Sequence, residues 1–119
     1  MQIEITIEFV KNKDILQLLK SDPSYSGLSD DYIKKYAEDL VVANTIIKEN
    51  IDMSRYKHSL LSDIIDSYSK IEFEEYCILD VLRENSSELS EEMKVAINSE
   101  YASESIELLF PEVEVEIVK

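Results

Sequence analysis

Apolar and polar residues alternate strictly at both ends of this chain. Ile3, Ile5, Ile7 and Phe9 interleave with Glu4, Thr6 and Glu8, and Val113, Val115 and Ile117 interleave with Glu112, Glu114 and Glu116. A period of two puts one residue set on each face of an extended backbone, so each end predicts a half-buried strand. Two such segments invite pairing in one small sheet, with parallel and antiparallel directions both open. Two strands are marginal by themselves, so the ribbon is expected to pack on helices or pair with another chain.

Between the strands the period becomes helical. A short helix is expected near 13–20, with Ile15, Leu16 and Leu19 on its apolar side and Asn12 as its cap. Residues 21–27, rich in Ser with Pro23 and Gly27, read as a loop. Ser29 is then placed to cap a long helix whose first turn holds Asp30 and Asp31, acids that suit a helix N-terminus. Its stripe is Ile33, Tyr36, Ala37, Leu40, Ala43 and Ile47, and Lys34, Lys35, Glu38 and Asp39 form its polar face. Asp52 caps a third expected helix, with Met53, Tyr56, Leu60, Leu61, Ile64 and Tyr68 as its stripe.

Ser69 through Glu72 fits a capping box and opens a fourth helix. That helix is apolar on several sides (Ile71, Phe73, Tyr76, Ile78, Leu79, Val81, Leu82), which predicts the most central position. Ser90 opens a fifth, expected to run to about Leu109 and to be stopped by Pro111. The fold class expected is α+β and predominantly helical, with about five helices flanked by terminal strands that pair. No repeat, linker or low-complexity tract divides residues 1–119, so a single domain is expected.

Composition supports this reading. One glycine and two prolines are too few for a chain of many strands and tight turns. Apolar residues at 45% make a real core attainable despite a net charge of −14. Cys77, the only cysteine, sits among Tyr76, Ile78 and Leu79 and reads as a buried small hydrophobe. Residues 1–11 show no basic leader before an apolar stretch, and no run approaches the roughly 18 apolar residues of a membrane span. A cytoplasmic location is the expectation.

The charge is unevenly placed. Residues 1–28 carry a net of −1 and residues 29–70 a net of −2, whereas residues 71–119 hold fourteen acids against Arg83, Lys94 and Lys119. A surface this acidic repels nucleic acid and anionic lipid and attracts basic partners. On a continuous fifth helix, at about 100° per residue, Glu100, Glu104 and Glu107 share one side. Val95, Ala102, Ile106 and Leu109 then face the core, and Met93, Ile97 and Tyr101 edge the acidic stripe. On the last strand Glu112, Glu114 and Glu116 recur about 6.6 Å apart, and Glu4 and Glu8 join that face once the strands pair. Some of this charge serves solubility and guards an exposed ribbon against aggregation, but solubility needs only a small net charge.

Catalytic signals are weak. A single glycine excludes the glycine-rich phosphate and dinucleotide loops. His58 has no second histidine or cysteine cluster to make a zinc site. Glu72, Glu74 and Glu75, and likewise Glu91 and Glu92, read as acids complementing helix starts. No enzyme activity, cofactor or metal is therefore expected.

The charge map predicts a small inhibitor or immunity-type protein. It would occlude a basic, nucleic-acid-handling partner such as a toxin nuclease or defence effector. The contact residues expected are Glu100, Glu104, Glu107, Glu112, Glu114 and Glu116, with Met93, Ile97 and Tyr101 as anchors. A phage-type anti-defence mimic of nucleic acid and a homodimer joined through the terminal ribbons are the alternatives. Neither direct nucleic-acid binding nor a membrane is expected.

Overall fold

A computed structural model of the chain describes residues 2–51, 73, 77–99 and 106–118. The fold is α+β and mostly helical, with one small antiparallel sheet. Strand β1 (Gln2–Glu8) leads through a single 3-10 turn at Asn12–Asp14 into α1 (Ile15–Ser21), and a second such turn (Pro23–Tyr25) precedes α2 (Asp30–Asn50). Helices α3 (Leu79–Glu84) and α4 (Glu91–Asn98) follow, and strand β2 (Glu112–Val118) closes the sheet. The described residues thus hold four α-helices where about five are expected. The expected helix after Asp52, His58 and the capping box at Ser69–Glu72 lie outside them.

β1 and β2 pair antiparallel, with Ile3 opposite Ile117, Ile5 opposite Val115 and Ile7 opposite Val113. Of the ribbon side chains described, Ile7 and Val113 are half-buried and pack on the core. The molecule measures 51 × 28 × 24 Å with a radius of gyration of 15.5 Å. A compact chain of this length has about 13.5 Å, so the body is elongated.

The base of the ribbon is tied to α2 by buried Asn44, 0% exposed. Its Nδ2 donates to the Val10 carbonyl and to Asn12 Oδ1, both at 2.7 Å. Asn12 in turn donates to Thr45 Oγ1 at 3.2 Å. Asn12 is therefore not the cap of α1. That helix has Asp14 at its N-cap with no side-chain cap bond, and Asn12 spends its amide on long-range contacts to α2.

α2 forms as its pattern predicts. Ser29 Oγ accepts from the Tyr32 amide at 3.2 Å, Asp30 and Asp31 occupy the first turn, and Ile33, Ala37, Leu40, Ala43, Ile46 and Ile47 are buried. Those residues recur at three and four, the spacing of one helix face. α3 is buried at Leu79, Val81 and Leu82, and Phe73, Cys77 and Ile78 before it are buried as well, so the thiol is buried as expected.

The fifth expected helix is broken. Ser90 does cap α4, its Oγ accepting from the Met93 amide at 3.2 Å. The helix then stops at Asn98, and Ser99 is extended (φ −75°, ψ 161°). Ser99 Oγ donates to the Ala96 carbonyl at 2.8 Å and Asn98 Nδ2 to the Lys94 carbonyl at 2.8 Å. These side chains offer the last carbonyls an alternative to the helical ladder. The Arg83 guanidinium covers the same end, its Nε donating to the Ile97 carbonyl at 3.1 Å, as cations do at helix C-termini. Residues Glu107–Leu109 form a separate 3-10 turn, followed by buried Phe110 and Pro111.

Candidate functional site

Of the acidic stripe expected along the fifth helix, only Glu107 falls among the described residues. Met93 and Ile97, expected beside the stripe as partner anchors, are 2% and 0% exposed and belong to the core. Val95, expected to face inward, is 70% exposed. Ile106 and Leu109 are buried as expected, but they sit beyond the break, so extrapolating a helical wheel back from them to Val95 fails. Glu107 is exposed in its 3-10 turn. Glu100, Tyr101, Ala102 and Glu104 lie outside the described residues.

Several acids of the second half have cationic neighbours. Asp80 lies 3.8 Å from Arg83 and Glu91 3.2 Å from Lys94, each within one helix. Glu92 lies 3.6 Å from Lys35 of α2, a base from the first half of the chain. The Glu92 carboxyl titrates below the usual range, first because its own backbone N–H donates to it and then because of the Lys35 ammonium. The acidic surface is thus partly compensated on the helices.

Among the described residues, glutamate positions gather on the ribbon. The antiparallel register sets Glu8 opposite Glu112, Thr6 opposite Glu114 and Glu4 opposite Glu116. Directly opposed positions share a face of an antiparallel pair, so five glutamate positions from the two ends fall on one side. Glu8, Glu112 and Glu114 are exposed, as is Thr6 between them. Like charges opposed across a sheet are destabilising, so this arrangement works against the stability of the ribbon.

A second feature was not legible as a site. Tyr25, Tyr32, Tyr36, Asp39, Glu92 and Met93 line a cleft of about 330 Å³ between the Pro23–Tyr25 turn, α2 and α4. The Tyr25 and Tyr36 ring centroids are 5.8 Å apart at 33°, and those of Tyr32 and Tyr36 6.5 Å apart at 22°. Burial, followed by the neighbouring Tyr25, pushes the Tyr36 hydroxyl well above the usual phenol range. Asp39 Oδ2 accepts from the Ser90 hydroxyl at 3.1 Å, which fixes that carboxylate against the start of α4. The spacing of Tyr32 and Tyr36 was available from sequence, but Tyr36 read simply as part of the apolar stripe of α2.

No group of three metal-ligating side chains occurs among the described residues, and no helix among them is long and apolar enough to cross a membrane. Comparison with protein-family models, with curated proteins and with solved structures finds no match to this chain.

Proposed function

We propose that the protein is a non-catalytic inhibitor or immunity-type protein that engages a basic, nucleic-acid-handling protein through the glutamate face of its terminal ribbon. One observation carries this reading: the register that sets Glu8 against Glu112 and Glu4 against Glu116. It gathers charge from opposite ends of the chain at a cost to the ribbon's own stability. Against a chain-wide charge of −14, such a face steers a positively charged partner into contact and raises the association rate.

Glu8→Lys separates this role from a solubilising one. The substitution turns a like-charged cross-strand pair into an opposite-charged one, so stability in urea holds or rises. Retention of the basic partner captured from lysate at low salt falls sharply in the same variant. Unchanged retention contradicts the proposal. Added DNA that releases several unrelated basic proteins alike points instead to nucleic-acid mimicry, whereas an immunity protein keeps one cognate enzyme.

The ribbon also favours a second reading, a homodimer paired edge to edge, because no third strand joins β1 or β2 among the described residues. Light scattering across a dilution series decides it. Self-association requires a mass that doubles with concentration, and a constant monomer mass removes it.

A further inference from the structure

We propose that the tyrosine-lined cleft between α2 and α4 receives an arginine side chain presented by a basic protein partner. The inference rests on the reading of the partner as basic, and adds a docking point separate from the ribbon. Three aromatic rings converge there, with Tyr32 55% exposed at the mouth and Tyr36 half-buried behind it. A cation over a ring face is attracted by the ring quadrupole at up to about 6 Å from its centroid.

The walls carry two carboxylates. Asp39 comes from α2 and Glu92 from α4, and no basic side chain is among the described residues that line the cleft. The Ser90 hydroxyl takes up one lone pair of Asp39 Oδ2, which leaves Oδ1 and further acceptor capacity for an incoming donor. A planar guanidinium meets both demands together, stacking on a ring while its in-plane N–H groups reach carboxylate oxygens. An ammonium meets only one at a time, and an anion is repelled.

The cleft already draws a cation to its rim. Lys35 Nζ lies 3.6 Å from Glu92 Oε1, with both side chains largely exposed. Exposed pairs of this kind are weak, so an arriving guanidinium displaces the lysine readily. Tyrosine and arginine are also the residue types that concentrate binding energy at protein interfaces.

The test uses the full chain with tyrosine-ring resonances followed by NMR. The probes are Nα-acetyl-arginine amide and its neutral isostere Nα-acetyl-citrulline amide. The arginine probe shifts the Tyr25, Tyr32 and Tyr36 rings saturably, and the citrulline probe does not. Tyr32→Ala, at an exposed position with its fold checked by the amide spectrum, raises the arginine Kd about threefold, the size of an exposed cation–π contact. Equal shifts from both probes, or an unchanged Kd in Tyr32→Ala, overturns the proposal. Glu8, Glu112 and Glu114 changed together to Gln leave the arginine titration as it was, so failure of the cleft and failure of the ribbon are told apart.

Discussion

Asn44 and Ser90 show how single polar side chains hold this fold in register. Asn44 Oδ1 finds no donor among the described residues, so there the two bonds from Nδ2 are what offsets the cost of burying the amide. Asn44→Ala removes both and leaves the Val10 carbonyl without its donor. A loss of about 1–3 kcal/mol is expected from an orphaned buried acceptor, measured by urea denaturation, with faster hydrogen exchange in β1 than in α2. Ser29 and Ser90 are both N-caps, each replaceable by Ala at about 1 kcal/mol. Ser90 also donates to Asp39, so Ser90→Ala destabilises more than Ser29→Ala. Equal losses would remove the tertiary role given to that bond.

At the scale of elements, the phase of α4 is the point most open to attack. With Ile97 buried and Val95 exposed, Ile97→Ala loses about 2–5 kcal/mol, whereas Val95→Ala stays within about 0.5 kcal/mol. The reverse order would restore the continuous helix. The elements legible in the sequence are those with local signals: both strands by alternation, α2 by Ser29 and its stripe, and the start of α4 by Ser90. The break after Asn98 was not, because Asn98 and Ser99 are unremarkable as helix residues until their side chains bond the preceding carbonyls. The long-range role of Asn12 was hidden for a similar reason, since a cap and a tertiary contact call for the same residue type.

At the scale of the whole molecule, the candidate site was half legible. The ribbon glutamates were foreseen as one face, and antiparallel pairing supplies the register that opposes them. Of the helical acids expected to contact a partner, Glu107 alone is described and is exposed, whereas the expected anchors Met93 and Ile97 are in the core. Contacts between α2 and α4 cannot be read from periodicity, which reports only the face each helix buries. The same limit concealed the cleft, whose walls are drawn from three separate segments.

If the opposed ribbon glutamates drive association with a basic protein, the association rate must carry their charge. The association rate with the basic partner retained from lysate is measured against ionic strength. The native chain is set beside a variant with Glu4, Glu8, Glu112, Glu114 and Glu116 all changed to Gln. The native rate falls by about tenfold or more as salt screens the ribbon, and the variant associates slowly with a nearly flat salt dependence. Equal rates and equal salt slopes for the two proteins mean that the ribbon glutamates do not steer the partner.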